Sequence, residues 1–409
     1  MKRKRFLKIL VSVLLCFCCT FCAPDCAAAK TVSSECDITD INVPIDAAVT
    51  DAAIGQKLEI NAKSAILLEP YTGEILYEMN SGEKLPPASI TKIMSLLLIM
   101  EAIDNKLLSV EDVVTASEHA CSMGGSQIWL EPGESMTVDD LLKATVIASA
   151  NDATVALGEQ IAGSEEGFVA MMNEKAKALG MNNTTFINCT GLDAQGHLTT
   201  AHDVALMSAE LIKYPLIKRY STVWMDTLRG GESELVNTNK LVRFYEGTTG
   251  LKTGTTSGAG YCLSATASRN NTEFVAVIMG GNTSNDRFNG AKKLLDYGFA
   301  NFAFKRIEPQ IKKDTYIPVT DGVLKNVRVG VNGSFEVLLK KSQSADTTQK
   351  LNLKKSLKAP VKKGDIVGSV DIYSGDTLIG SVEAYAGHNV DKISLFTVFK
   401  WIVMGLFTP

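Results

Sequence analysis

The sequence has few of the groups on which most hydrolases depend. It contains four histidines in 409 residues and neither a Gly-x-Ser-x-Gly nor a His-Glu-x-x-His motif. A Ser-His-Asp hydrolase built on a nucleophile elbow and a zinc peptidase are therefore not supported. The cysteines beyond the N-terminal region are too widely separated for zinc-ligand spacing; they are Cys36, Cys121, Cys189 and Cys262. We therefore expect an activity that uses neither a metal ion nor another cofactor.

The N-terminal residues have the three parts of a secretory leader. Residues 2–5 are basic, residues 6–21 are mainly apolar, and residues 27–29 are alanines suited to cleavage. We predict a signal peptide over residues 1–29 and a lead segment over residues 30–60. Removing the leader takes away five basic residues and one acidic residue, which leaves 36 against 44 and a net charge of −8. This acidic balance argues against nucleic acid as a partner.

The remaining cysteines lie in the predicted leader, which holds five of the nine. No pair of small residues precedes any of them as lipoprotein processing requires, so we do not expect a lipid anchor. The four cysteines of the mature chain are expected to be buried free thiols. A disulfide stays open as an alternative because an exported protein meets an oxidising environment.

Ser89 and Lys92, three residues apart, form the first of three short motifs. On a helix this spacing places both side chains on one face, where the lysine can serve as the base that a serine nucleophile needs. A Pro-Pro pair precedes them and residues 90–100 are almost wholly apolar, so a buried helix is predicted to begin here. Free N–H groups at this end of the helix favour developing negative charge. Burial and a neighbouring cation, Lys252, would lower the pKa of Lys92 and leave part of it neutral.

The second and third motifs supply polar groups at two further places. Ser149-Ala150-Asn151 lies in a run of small and apolar residues that predicts a break between two buried helices. A hydroxyl there can relay a proton to a leaving amine, and an amide can hold a substrate carbonyl. Lys252-Thr253-Gly254 precedes two alternating stretches, residues 261–267 and 274–279, that predict central strands of an antiparallel sheet. Its lysine suits a substrate carboxylate, and its glycine allows close approach of a substrate backbone.

The motifs Ser-x-x-Lys, Ser-x-Asn and Lys-Thr-Gly, in this order along the chain, are those of β-lactamases and penicillin-binding proteins. The chain resembles the low-molecular-mass penicillin-binding proteins of the serine-type D-alanyl-D-alanine carboxypeptidase family. The resemblance covers residues 62–304: residues 65–77 resemble the opening hairpin of the family, residues 87–94 its nucleophile motif, and residues 180–203 another shared segment. Many members have glycine where this chain has Ala150, a small departure that bears on substrate packing.

The resemblance implies a fold and a nucleophile. The fold would be an α/β (α+β) catalytic domain of the β-lactamase/transpeptidase type over residues 61–304, with an antiparallel sheet flanked by helices. Ser89 would be the acylated nucleophile and Lys92 its base. Ser149 and Asn151 would relay the proton and position the substrate.

The resemblance also implies how substrate is held. Lys252, Thr253 and Gly254 would line the strand that binds the substrate carboxylate, and the backbone N–H groups of Ser89 and Thr255 would form the oxyanion hole. The implied substrates are peptidoglycan stem peptides that end in D-alanyl-D-alanine. β-Lactam antibiotics would be covalent inhibitors.

Two alternatives share the nucleophile. A class A β-lactamase needs a glutamate after the second motif to activate the deacylating water. The candidates lack the Glu-x-x-Leu-Asn context and are Glu159, Glu165, Glu166 and Glu174. We therefore expect slow release of bound penicillin rather than efficient hydrolysis. The other alternative is an exported sensor or wall-binding protein that is acylated without turning over peptide.

A change of composition after the catalytic region predicts a second domain. Residues 305–390 contain short alternating stretches separated by turn dipeptides such as Asp321-Gly322 and Asn332-Gly333. They predict a small β-sandwich-like domain without a catalytic cluster. The resemblance implies a spacer that holds the active site away from a membrane.

The C-terminal residues 391–409 predict an amphipathic anchor. Residues 393–407 form an apolar segment of 15 residues, about 22 Å as a helix against a hydrocarbon core of about 30 Å. The polar positions of this segment fall on one side of a helical wheel, which favours a helix lying in the membrane interface. A helix docked on the core of the protein is the alternative. The expected location is the outer face of the cytoplasmic membrane, in the cell-wall space.

Overall fold

A computed structural model describes residues 58–342 and 347–407 of the chain. The predicted signal peptide, nearly all of the lead segment and Cys36 lie outside the described residues. Within them, the strands of the first domain are β1 (Ser64–Leu68), β2 (Ile75–Met79), β3 (Val113–Thr115), β4 (Ser135–Thr137), β5 (Met225–Leu228), β6 (Ser233–Val236), β7 (Thr248–Thr256), β8 (Gly260–Arg269) and β9 (Thr272–Gly281). Its helices are α1 (Lys92–Asp104), α2 (Glu118–Cys121), α3 (Val138–Lys143), α4 (Asn151–Ala162), α5 (Glu165–Ala178), α6 (Ala201–Leu211), α7 (Lys218–Ser221), α8 (Leu241–Phe244) and α9 (Ser284–Asn301).

The centre of this domain is a five-stranded antiparallel sheet with the strand order β2-β1-β9-β8-β7. Strand β9 is buried along its whole length. Its alternate side chains enter two different cores, because successive residues of a strand point to opposite faces. Phe274 and Ile278 pack with Leu294 of α9, whereas Val275 and Val277 join the core that contains Ile93 of α1. The sheet is thus covered by helices on both faces, as the sequence predicts.

The second domain is all-β, as predicted. Its strands are β10 (Phe302–Ile307), β11 (Tyr316–Thr320), β12 (Asn326–Val331), β13 (Phe335–Lys340), β14 (Thr347–Leu353), β15 (Leu357–Lys358), β16 (Ile366–Ser374) and β17 (Thr377–Ala386). Six form a sheet in the order β14-β16-β17-β12-β11-β15, and β10 pairs with β13. A separate small core includes Ile317, Val327 and Val367. Strand β10 runs across the predicted limit at residues 304/305, and the domain limits stay predictions.

A last helix, α10 (Leu395–Phe407), ends the described chain. Apolar side chains in its first turns are not covered by the protein: Leu395 is 91%, Phe396 77% and Phe399 64% exposed. The alternative of a helix docked on the protein's own core therefore does not hold for these side chains. Among residues 58–342 and 347–407, helices with the length and apolarity needed to cross a bilayer are absent.

Candidate active site

The nucleophile candidate lies where the chain turns into α1. Ser89 belongs to a short 3-10 turn, Ala88–Thr91, that continues directly into the helix. Ala88 has a left-handed backbone with φ of 50°, and this bend precedes the helix that the Pro-Pro pair predicted. Ser89 is partly exposed, whereas Lys92 is fully buried one turn further on. The two side chains meet, with Lys92 Nζ 3.2 Å from Ser89 Oγ.

The Lys92 amine is held by groups from three separate parts of the chain. Besides Ser89 Oγ, its Nζ lies 2.5 Å from Asn151 Oδ1 and 2.8 Å from the Thr190 carbonyl oxygen. Burial lowers the pKa of Lys92 to about 7, because the charged form loses its hydration inside the protein. A sizeable share of this lysine is therefore neutral near pH 7 and able to accept a proton.

Lys252 is the second buried lysine of the site. Burial, and next the positive charge of Lys92, hold the pKa of Lys252 well below its usual range. From the sequence, Lys252 was in turn predicted to lower the pKa of Lys92. At Lys92 itself burial is the cause that lowers the pKa, and the neighbouring Cys189 and Asp152 side chains oppose this shift.

The second motif occupies a break between helices, as predicted. A π-helical turn, Ala144–Ala148, ends at Ser149, whose φ of 65° is left-handed, and α4 begins at Asn151. Asn151 is fixed by three contacts: its side-chain oxygen accepts from Lys92, its Nδ2 donates to the Gly124 carbonyl and its backbone N–H to the Ser126 carbonyl.

Ser149 differs from Asn151 in its hydrogen bonding. Its side chain is buried, yet its hydroxyl oxygen has no hydrogen-bond partner among the described residues. Buried polar groups in proteins are nearly always satisfied. An unpaired hydroxyl in this place is therefore available to a bound substrate.

The third motif lies on β7, against the nucleophile turn. A Cβ on Gly254 would stand 2.9 Å from the Ser89 backbone nitrogen, so only glycine fits this approach without displacement. Thr253 Oγ1 donates to Thr238 Oγ1 over 2.7 Å. The next residue, Thr255, is exposed at the end of the same strand. The structure thus brings residues of all three motifs together around Ser89.

Sequence reasoning missed two groups that shape the cleft. Arg287 of α9 is buried and donates from Nη1 to the Gly254 carbonyl at 3.0 Å and to Thr255 Oγ1 at 2.9 Å. The segment at Thr190 and Gly191 lies against the nucleophile turn and supplies the carbonyl that holds Lys92. Gly191 lies in a segment that carried the family resemblance, but no local pattern showed what it contacts.

The cysteines and possible metal ligands lie apart from this chemistry. Cys189 and Cys262 are buried free thiols, and Cys121 is a partly exposed one. Burial raises the pKa of Cys262 to about 11, so its thiol stays protonated and unreactive at neutral pH. Among the described residues, clusters of three or more His, Cys, Asp or Glu side chains suited to a metal ion are absent.

Comparison with known proteins adds independent findings. The model of the family described as D-alanyl-D-alanine carboxypeptidase matches residues 50–283, and that of the C-terminal domain of penicillin-binding protein 5 matches residues 304–392. D-alanyl-D-alanine carboxypeptidase DacF of Bacillus subtilis is 41% identical over 348 residues, which cover 84% of this chain and 90% of that protein.

Solved structures agree with these sequence matches. Penicillin binding protein 5 from Haemophilus influenzae superposes with a TM-score of 0.72 at 29% identity, covering 82% of this chain and 99% of that one. Penicillin-Binding Protein D2 from Listeria monocytogenes, in an ampicillin-bound form, has a TM-score of 0.55 at 33% identity, covering 60% of this chain and 100% of that one. The transpeptidase-type fold expected from the sequence is thereby confirmed.

Proposed function

The chain belongs to the D-alanyl-D-alanine carboxypeptidase family, which makes it a serine peptidase, and we propose that Ser89 is its acylated nucleophile. The observation that carries this assignment is the contact between Ser89 Oγ and the buried Lys92 amine at 3.2 Å. A serine needs an adjacent base, and a lysine with a pKa of about 7 is such a base at neutral pH.

The proposed reaction begins with loss of the Ser89 proton to neutral Lys92. Ser89 Oγ attacks the carbonyl between the two terminal D-alanines, and the backbone N–H groups of Ser89 and Thr255 stabilise the oxyanion. Ser149 passes its own proton to the leaving D-alanine nitrogen and receives the proton held by Lys92, so the bond between carbonyl carbon and nitrogen breaks and Lys92 is neutral again. Water then attacks the ester, Lys92 takes a proton from the water and gives a proton to the departing Ser89 Oγ, so that the shortened peptide leaves and Ser89 is restored.

Substrate binding is proposed to use the edge of β7. Lys252 and Thr253 would hold the terminal carboxylate, while Gly254 leaves room for the peptide backbone beside the nucleophile turn. The substrates would be peptidoglycan stem peptides. The ampicillin-bound relative supports β-lactams as covalent inhibitors of Ser89, with slow release, since the Glu-x-x-Leu-Asn context of class A β-lactamases is missing.

A location is proposed from the two ends of the chain. The predicted leader would export the protein, and α10 would lie in the membrane interface with its uncovered apolar side chains in the lipid. This arrangement would place the catalytic domain in the cell-wall space at the outer face of the cytoplasmic membrane. Loss of vesicle binding on deletion of residues 391–409 is the expected result, and unchanged binding would contradict it.

The decisive test measures released D-alanine. The protein without residues 1–29 is incubated with a peptide ending in D-alanyl-D-alanine, with and without prior treatment with penicillin. We expect release that penicillin blocks and that Ser89→Ala abolishes together with penicillin labelling. Labelling of Ser89 without release of D-alanine would instead indicate the sensor or wall-binding alternative.

A further inference from the structure

Trp129 lies three residues after a segment that contacts Asn151, and its conformation is unusual. Its side chain is 75% exposed and its φ is 60°, a left-handed backbone that bulky residues rarely adopt. It follows Ser126 by three residues, and the Ser126 carbonyl accepts the backbone N–H of Asn151 over 2.7 Å. Three residues span at most about 11 Å, so the backbone of Trp129 lies within this distance of the segment that contacts Asn151, and we refer to its place as the rim of the site.

Asp152 fixes the backbone around Trp129 from the side of the protein core. Its carboxylate is fully buried and accepts the backbone N–H groups of Ile128 and Leu130, each at 3.1 Å. The residues on both sides of Trp129 are thus tied to one carboxylate. Asp152 directly follows Asn151, so these two hydrogen bonds link the backbone beside Trp129 to the start of α4, which carries Asn151.

Arg229 fixes the same backbone through its carbonyl groups. Its guanidinium donates to the Ile128 oxygen at 3.0 Å and to the Trp129 oxygen at 3.4 Å, and Nε donates to Glu134 Oε1 at 2.8 Å. Arg229 itself has a left-handed φ of 52°. Strained backbone persists only where its surroundings hold it, and such strain concentrates at functional sites. Here the contacts hold a tryptophan whose ring lies mainly in solvent.

The nearest charge in sequence suggests what this ring would meet. Glu131 follows two residues later and is exposed, and its carboxylate makes no hydrogen bond or ion pair with another described residue. The electron-rich face of an indole attracts cations, and its apolar area covers aliphatic chains. Glu131 also acts electrostatically on Arg229, and as an exposed carboxylate two residues from Trp129 in sequence it adds to the attraction for a positive charge.

We propose that Trp129 and Glu131 form a subsite for a cationic amine on the side chain of the residue before the terminal D-alanyl-D-alanine. The inference rests on the proposed function, because that function places the dipeptide at Ser89. One peptide unit and a four-carbon stem carry such an amine about 10 Å from the scissile carbonyl. This reach matches a subsite on the rim rather than one within the cleft.

Two peptides that differ only in charge test the proposal. Nα-acetyl-L-lysyl-D-alanyl-D-alanine keeps the side-chain amine, and its Nα,Nε-diacetyl form lacks the positive charge. We expect the wild-type protein to prefer the free amine by about tenfold in kcat/KM, an effect of the size that a partly desolvated cation–π contact provides. The difference should lie mainly in KM, because the amine is remote from the reacting bond.

Variants assign this preference to the two residues. Trp129→Asn removes the ring while tolerating the left-handed backbone, and it should remove most of the preference. Trp129→Phe should keep part of it, and Glu131→Gln should reduce it about threefold. Tyr316→Ala on β11 and Glu383→Gln on β17 are matched exposed controls from the second domain and should change nothing.

The possible outcomes separate this inference from the proposed function. Equal kcat/KM for the two peptides in the wild-type protein would overturn the subsite while D-alanine release upheld the function. A loss in Trp129→Asn that is the same for both peptides would also overturn it, since such a loss reports only a disturbed loop. Release from neither peptide would overturn the function itself and the subsite with it.

Discussion

Gly191 lies so close to Ala88 that a Cβ on Gly191 would stand 1.9 Å from the Ala88 carbonyl oxygen. The two residues are distant in sequence, yet the backbone of one packs directly on the turn that carries the nucleophile. The adjacent Thr190 carbonyl holds the Lys92 amine at 2.8 Å. One segment therefore sets the position of both nucleophile and base.

Gly191→Ala should displace the nucleophile turn. Its φ of 88° is left-handed and its Cβ would meet backbone, so we expect a loss of about 2–4 kcal/mol in the free energy of unfolding. The rate of acylation by a fluorescent penicillin should fall at least tenfold. Gly196→Ala is the control: its φ of 84° is similar but no atom lies within 4 Å of its Cβ. Equal effects of the two substitutions would show that backbone strain, not the contact with Ala88, is responsible.

The acylation rate should rise with pH through about 7. Only neutral Lys92 can accept the Ser89 proton, and burial brings its pKa to about 7, so the rate falls as this amine becomes protonated at lower pH. The check is the pH profile of acylation, with circular dichroism to show that the fold is retained. His119 and His202 also have raised pKa values, each through a neighbouring carboxylate. The double variant His119→Gln, His202→Gln should keep the rise in acylation rate near pH 7. Loss of this rise in the double variant would assign the titration to a histidine instead of Lys92.

Ser149→Ala should separate activity from stability. The Ser149 hydroxyl is buried without a partner, so its removal leaves no group unsatisfied, and the free energy of unfolding should be unchanged or slightly higher. D-Alanine release should fall about a hundredfold, since the proton relay is lost. Ser95→Ala is the matched buried serine: its hydroxyl donates to the Cys189 carbonyl at 2.6 Å, and its loss should cost about 1–2 kcal/mol. Thermal unfolding and release assays compare the two, and a destabilised Ser149→Ala with normal release would contradict the assignment.

Arg287→Lys should slow acylation while keeping the charge. The Arg287 guanidinium bonds both the Gly254 carbonyl and Thr255 Oγ1, and a lysine amine cannot reproduce this planar arrangement. The Thr255 N–H would then be aimed less well, and we expect about a tenfold loss in kcat. Arg269→Lys is the control, because Arg269 likewise donates to a carbonyl, that of Glu246, at 3.0 Å. Steady-state kinetics of D-alanine release measure both; a loss confined to KM would place Arg287 in substrate binding instead.

Much of the fold followed from local patterns. Alternating residues predicted β8 and β9, the Pro-Pro pair predicted where the nucleophile helix begins, and small residues around Ser149 predicted the break between helices. These features depend on backbone preferences and on the period at which apolar residues recur. Both can be read from a short stretch of sequence. The limit between the two domains did not follow from such patterns, because β10 continues across residues 304 and 305.

The sequence by itself determined the three motifs, and with them the family and the chemical groups of the site. Only the tertiary structure decided how these groups are held and charged. The partly neutral state of Lys92 depends on burial by residues far away in the chain, and the contacts of Gly191 and Arg287 join segments that no local spacing relates. The motifs specify which chemical groups the reaction requires. The distances between these groups and their desolvation depend on packing between segments that are far apart in sequence, and this packing forms only when the chain folds.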